Sequence, residues 1–311
     1  MKKTNKKYFW YGLIAVCLGA LNAPVIKHAS SSINPVTINF LRFSVSALVT
    51  FPFFLYFFKK LTPKNITYSL LSGFTLFFAT MGFVNGVNLS TASYVALLLL
   101  LSPVTLVFFS IKMTNDKVDR KRFAGFSLAI LGAILVVAGP IFLAGNTSID
   151  FYPKATLFIG LTVITYPLAV IFAKKANESR KKLPITSIIF IQTSVIAILS
   201  LATGLLTNKI DFTSVSESEI SVLTAIAYSG IMVGVLDRSL NVISYEHVGS
   251  AVNGGLVYLG LFITLLVSVL VLDESLSLVA LVGGVIILLG VAITEHGLPK
   301  IHRFNYHHRH H

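Results

Sequence analysis

Apolar stretches long enough to cross a lipid bilayer recur along the whole chain and limit its fold more than any other feature. A hydrocarbon core of about 30 Å needs about 20 residues of α-helix. Lipid offers no hydrogen bonds, so each backbone group must be satisfied within its own segment. Alternating ten-residue strands of a membrane barrel are absent. The sequence predicts an all-α membrane protein with ten transmembrane helices, at residues 8–26, 34–58, 66–88, 92–111, 123–142, 155–173, 185–206, 220–243, 250–272 and 276–293.

The composition agrees with burial in lipid. Of the 311 residues, 55% are hydrophobic and only 12% are charged, compared with about 25% charged in soluble domains. The first apolar stretch of 19 residues exceeds the usual core of a signal peptide, so we interpret it as a retained helix. The single cysteine, Cys17, excludes an internal disulfide and a cysteine metal site.

Basic residues predict how the chain lies in the membrane. Of the 25 Lys and Arg residues, 20 fall in the two termini and in alternate loops, whereas only Lys27, Lys154 and Lys209 fall in the opposite loops. Cytoplasmic loops are enriched in Lys and Arg. This distribution predicts an even number of spans in a plasma (inner) membrane with both termini cytoplasmic. It also explains the net charge of +13 without a nucleic-acid partner.

The two halves of the chain share a pattern. An acid followed by two glycines seven residues apart occurs twice at a constant offset of 158 residues, as Asp116, Gly125 and Gly132, and as Glu274, Gly283 and Gly290. Because five helices per half is an odd number, the second copy must enter the membrane inverted. We therefore predict inverted five-helix repeats at 1–147 and 148–296, followed by a cytoplasmic tail at 297–311.

Several local motifs carry a resemblance to a known family. Leu18-Gly19-Ala20-Leu21-Asn22-Ala23-Pro24-Val25-Ile26-Lys27 ends the first span, and Pro35 precedes Arg42 by seven residues. Thr91-Ala92-Ser93 and Gly249-Ser250-Ala251 open corresponding helices of the two halves. In these motifs the chain resembles the EamA-type transporters of the drug/metabolite transporter superfamily over nearly its whole length. The resemblance implies alternating-access transport of a small molecule, such as an amino acid, a nucleoside or a drug-like solute, without a cofactor.

Charged residues inside the predicted spans are the strongest candidates for a binding site. Each costs roughly 2.5–3.5 kcal/mol at a helix centre on insertion scales. Arg42 is expected either to contact a substrate anion or to clamp helices together, with a structurally paired or snorkelling arginine as the alternative. Asp237 and Arg238 point about 100° apart on a helix, so they cannot both face one partner. Asp237 is interpreted as a proton- or cation-coupling acid or as a member of a charge pair.

Uncharged polar and aromatic residues in the spans form a second set of candidates. These groups can contact substrate, bond between helices or, for tyrosines, lie at the membrane interface. The set comprises Asn22, Asn85, Asn88, Tyr94, Tyr166, Gln192, Tyr228, Asn253 and Tyr258. The glycine stripes of the last helix in each half predict close helix packing. The resemblance implies that these two helices lie at the periphery, where a homodimer interface is possible. The tail histidines 307, 308, 310 and 311 are interpreted as a solvated end, and no metal site is predicted.

Other classes of function find less support. The motifs of serine hydrolases, zinc proteases and P-loop NTPases are absent, and the spans offer no pair of carboxylates for intramembrane catalysis. We therefore expect a secondary transporter and no enzyme, with a small-molecule substrate and membrane lipids as the partners. The alternatives are a flippase for a lipid or lipid precursor and, with less support, a channel.

Overall fold

The protein is described by a computed structural model that covers residues 3–102, 152–177, 183–248, 250–274 and 278–296, with isolated positions between 105 and 135. Side chains are described in these ranges except at 3–6, 245–255, 257, 258, 280, 291, 292 and 294–296. Within the described ranges the backbone is helical and contains no β-strand. This confirms the predicted all-α class.

Twelve helices, together with one π-helical segment and a short 3₁₀ turn at Phe58–Lys60, make up the described chain. In chain order they are α1 (Lys3–Ala20), α2 (Asn22–Ala29), α3 (Pro35–Tyr56), α4 (Pro63–Leu89), α5 (Ala92–Leu99), α6 (Pro153–Asn177), α7 (Ile185–Leu206), α8 (Phe212–Glu217), α9 (Ile220–Tyr228), the π segment (Ser229–Asp237), α10 (Arg238–Val248), α11 (Ser250–Val271) and α12 (Leu278–His296).

Six of the described spans are long and apolar enough to cross a membrane. They are Lys7–Ala29, Pro35–Tyr56, Pro63–Leu89, Pro153–Asn177, Ile185–Leu206 and Ile220–Ser244, with shorter apolar helices at Leu259–Val271 and Leu281–Gly290. Large apolar side chains such as Leu157 and Leu206 point outwards, where lipid is their natural neighbour. The multi-pass membrane prediction is confirmed, whereas the count of ten stays a prediction because most of 103–151 lies outside the described residues.

Capping side chains determine where several helices begin. The Asn34 side chain accepts bonds from the first N–H groups of α3, and Thr62 with Asn65 forms a capping box that starts α4 at Pro63, earlier than the predicted residue 66. Asp211 caps the short helix α8, which lies in a segment predicted to be a loop. The Ser214 hydroxyl, which donates to this carboxylate, lowers the pKa of Asp211.

Helix α3 is polar on its buried side and apolar on its outer side. Asn39, Arg42, Ser46 and Thr50 are buried, and their spacing places them on one face of a helix. Exposed apolar side chains, including Leu48, occupy the opposite face. This arrangement is the reverse of a water-soluble helix and places hydrogen-bonding groups in the bundle interior.

Glycines bring helices of the two halves into close contact. A Cβ atom at Gly82 of α4 would lie 2.6 Å from the Thr162 hydroxyl of α6, and one at Gly132 would lie 2.8 Å from the carbonyl oxygen of Gly283. Small residues permit such approach between membrane helices. The predicted glycine stripe at Gly132 and Gly283 is therefore used inside one chain, and the homodimer stays a prediction that these two glycines do not support.

Candidate functional site

A buried arginine lies at the centre of the bundle. Arg42 of α3 is 4% exposed. Its Nε and Nη2 donate to Asn39 Oδ1 at 3.3 and 3.0 Å, and its Nη1 donates to Ser229 Oγ at 3.3 Å. The guanidinium carbon lies 4.6 Å from the centroid of the Phe43 ring, within the range of a cation–π contact. The bond to Ser229 joins α3 to the π segment and is consistent with the inter-helix clamp, whereas the bonds to Asn39 stay within α3. Contact of Arg42 with a substrate anion stays a prediction.

The bonds of this arginine continue into a network that joins the two halves. Asn39 Nδ2 donates to Ser200 Oγ of α7 at 2.9 Å and to Thr80 Oγ1 of α4 at 3.3 Å. Ser229 Oγ donates to Asn22 Oδ1 at the start of α2 at 2.8 Å. One set of polar side chains therefore connects α2, α3 and α4 with α7 and the π segment.

The π segment lies directly against α3. A Cβ at Gly230 would lie 2.6 Å from the carbonyl oxygen of Arg42. A Cβ at Gly234 would likewise clash with the Ser46 hydroxyl. Ser46 Oγ contacts the carbonyl of Gly230 at 2.7 Å. π-Helical turns are rare and frequently occur at functional sites. Here the wider helix begins at Ser229, in the network, and ends at Asp237.

The carboxylate of Asp237 lies beside α1. A Cβ at Gly19 would lie 3.3 Å from Asp237 Oδ2, so the missing side chain of this glycine leaves the space that the carboxylate occupies. Tyr228 lies within electrostatic range of Asp237, and its hydroxyl donates to the carbonyl of Leu18 at 2.9 Å. Asp237 makes no hydrogen bond or salt bridge with any residue that the structure describes.

Arg238 and Tyr166 complete this polar centre. Tyr166 of α6 lies within electrostatic range of both Asp237 and Arg238. Tyr166 is 44% exposed, and Asp237 and Arg238 are half-buried. The buried Nη1 of Arg238 has no hydrogen-bond partner among the described residues. A buried donor without a partner is costly, and a bound anionic group would satisfy it.

Other predicted residues lie away from this centre. Gln192 Nε2 donates to Ser72 Oγ at 2.7 Å between α7 and α4, and the Tyr94 hydroxyl bonds to Thr156 Oγ1 at 2.6 Å between α5 and α6. Asn85 donates to a carbonyl of its own helix at 2.8 Å, and Asn88 is exposed. The structure thus brings together Asn22, Arg42, Tyr166, Tyr228, Asp237 and Arg238.

Some predictions cannot be placed, and some network residues were not predicted. The side chains of Asn253 and Tyr258, Asp116 and the tail histidines lie outside the described residues. The sequence did not single out Asn39, Thr80, Ser200 and Ser229, which carry the network. One signal was available, because Asn39 lies three residues before Arg42 and therefore on the same helical face.

Known proteins resemble this chain in family and in fold. The model of the EamA-like transporter family matches the chain twice, at residues 6–138 and 153–295. No curated protein matches the chain. One solved structure, described only as the crystal structure of a protein, is 16% identical with a TM-score of 0.60, and the match covers 93% of this chain and 96% of that chain. At that identity the likeness shows a shared fold alone.

Proposed function

Because the chain belongs to the EamA-like transporter family, we propose that it is a secondary carrier that moves a small metabolite across the plasma membrane by alternating access. Its family and its apolar helices make it a multi-pass transporter of the drug/metabolite transporter kind. Members of this family are transporters, and the proposal includes no catalytic step. We propose in addition that both termini are cytoplasmic and that the solute belongs to one of the classes below.

The single observation that supports the proposal most is the polar centre formed by Asp237, Arg238 and Tyr166. Charged groups inside a membrane protein are expensive and usually mark a substrate or ion pathway. Neither charged side chain is satisfied by a described hydrogen bond, in contrast to Arg42. Secondary transporters with inverted repeats place their substrate site at the repeat interface near the membrane midplane. The three residues of the polar centre all belong to the second half of the chain, and Asp237 lies against Gly19 of α1 in the first half. The polar centre therefore borders the contact between the two halves.

The charges of the polar centre favour one solute class among those that the sequence left open. Arg238 offers a donor to a carboxylate, and Asp237 offers an acceptor to an ammonium group. Asp237 and Arg238 cannot both face a single group, but a solute that carries an ammonium and a carboxylate group, as an amino acid does, presents a separate group to each side chain. A nucleoside has neither group, so it would leave both charges without a partner.

Neutralising the carboxylate tests this site. In proteoliposomes we expect Asp237→Asn to abolish gradient-driven uptake of amino acids while the protein remains folded in the membrane, because the ammonium group or the coupling proton loses its acceptor. Asp211→Asn is the matched control, since it makes the same chemical change on the capping carboxylate of α8. Unchanged transport and unchanged pH dependence in Asp237→Asn would contradict the assignment.

The same vesicles separate the other classes of function. A channel lets solute equilibrate without counterflow, because counterflow requires a site that is exposed to one side at a time. A lipid flippase moves a fluorescent lipid between leaflets and leaves amino acids where they are. Either result, in place of counterflow, would replace the carrier proposal.

A further inference from the structure

A second charged cluster lies at the end of the bundle that holds Lys27, away from the polar centre. Glu274 follows α11 and reaches the first turn of α5. Its Oε1 accepts from the Ala92 N–H at 2.7 Å and its Oε2 accepts from the Ser93 N–H at 2.8 Å. Both donor residues, Ala92 and Ser93, are buried. A carboxylate of the second half therefore caps a helix of the first half.

The backbone conformation of the preceding residue, Asp273, directs the Glu274 side chain towards α5. Asp273 adopts a φ of 51°, a left-handed conformation that non-glycine residues adopt rarely and that Asp tolerates better than most. The N–H of Glu274 then donates back to the carbonyl of Ser268 in α11 at 3.3 Å. The turn closes α11 and directs the next side chain across to α5.

A lysine completes the cluster from a third direction. Lys27 Nζ of α2 donates to the carbonyls of Val87, at 3.2 Å, and Ser90, and it lies within electrostatic range of Glu274. A cation at the C-terminal end of α4 and an anion at the N-terminal end of α5 both oppose helix dipoles favourably. The short connection between α4 and α5 is thus held by a charge of each sign.

We propose that this cluster, the Glu274 latch (Glu274, Lys27 and the Ala92 and Ser93 amides), is a gate that holds the Lys27 end of the carrier closed. The inference rests on the proposed function, because a gate has meaning only for alternating access. The halves cannot separate at this end while Glu274 bonds to α5. Release of the carboxylate exposes the polar centre from the Lys27 side, which the basic-residue distribution places outside the cell.

Chemical labelling of a cysteine in the polar centre tests the latch without any substrate. The reporter is Tyr166→Cys in a Cys17→Ala background, which leaves no other cysteine. A membrane-impermeant maleimide is added to right-side-out and to inverted vesicles. Ser31→Cys, on the exposed turn after α2, identifies the vesicles in which the reagent meets the Lys27 end.

Glu274→Gln keeps the size of the side chain but replaces one acceptor oxygen and the charge. We expect it to raise the labelling rate of the reporter from the Lys27 side about tenfold, which corresponds to about 1.4 kcal/mol of gate opening. Glu217→Gln is the matched control, because Glu217 lines the open cavity beside His28 at the same end without joining the latch. An unchanged rate in Glu274→Gln, or no labelling from that side in any variant, would overturn the proposal.

A second pair of variants keeps Glu274 itself intact. Asp273→Gly accepts the left-handed backbone freely, whereas Asp273→Val opposes it, and both remove the same charge. We expect faster labelling in the valine variant alone, and equal labelling rates in the two variants would count against the latch. If amino-acid counterflow is absent while labelling responds to Glu274→Gln, the proposed cargo fails and the gate stands. If counterflow occurs and labelling does not respond, only the gate fails.

Discussion

Removing the Ser229 hydroxyl tests the network that joins the two halves. In Ser229→Ala the buried Arg42 loses its 3.3 Å bond, and Asn22 loses its 2.8 Å bond. A hydrogen bond to a charged group contributes about 1.5–3 kcal/mol and a neutral one about 0.5–1.5 kcal/mol, although bonds between membrane helices average only about 0.6 kcal/mol. Because the bond from Arg42 is long, we expect the free energy of unfolding to fall by about 1–3 kcal/mol.

The measurement is reversible unfolding in mixed micelles, with a matched serine as control. Ser69 of α4 is equally buried, but its Oγ has no hydrogen-bond partner among the described residues. Because an unpartnered buried hydroxyl is itself unfavourable, Ser69→Ala is expected to leave the free energy of unfolding unchanged within about 0.5 kcal/mol or to raise it. A Ser229→Ala value within that same range would refute the network. Asn22→Ala, alone and combined with Ser229→Ala, gives the coupling energy of the pair.

Three further predictions follow from contacts elsewhere. Gly82→Ala places a methyl group against the α6 backbone and is expected to destabilise the fold by about 1–3 kcal/mol, whereas Gly160→Ala meets no atom within 4 Å and is expected to be neutral or stabilising in thermal unfolding. Tyr94→Phe removes the bond to Thr156 and is expected to cost about 0.5–1.5 kcal/mol in the same assay. The folded-state pKa of Asp211 lies below its ordinary value of 3.8, so its capping contribution is complete above that pH and disappears as the pH falls through the folded-state value. Amide-exchange protection of α8 should fall over that range, and Asp211→Asn should abolish the pH dependence.

The sequence identified the charged residues because the membrane makes them costly. Arg42, Asp237 and Arg238 could be singled out with no structure, since an apolar span has no other reason to contain them. Their surroundings could not be predicted in the same way. Whether Arg42 bonds to Ser229 depends on how the two helices are rotated about their axes. A hydropathy pattern does not predict that rotation.

The sequence also does not predict where a helix departs from regular α-helical geometry. The apolar pattern of the eighth span predicts a regular helix of 3.6 residues per turn, whereas Ser229–Asp237 is a π helix that contacts α3 through Ser46. The sequence shows Glu274 only as the second copy of the acid at Asp116. Its role depends on the turn at Asp273 and on bonds to the amides of α5, which are distant in the sequence. A local sequence pattern cannot predict either feature.

Counterflow in proteoliposomes measures whether the protein carries amino acids through a site at Asp237 and Arg238. Vesicles that contain the purified protein are loaded with a mixture of unlabelled L-amino acids and diluted into a trace of the labelled mixture. We expect a transient accumulation of label above its equilibrium level that saturates with external concentration and is lost in Asp237→Asn. A monotonic approach to equilibrium, or no uptake above that of protein-free vesicles, would contradict an amino-acid carrier with its site at Asp237 and Arg238.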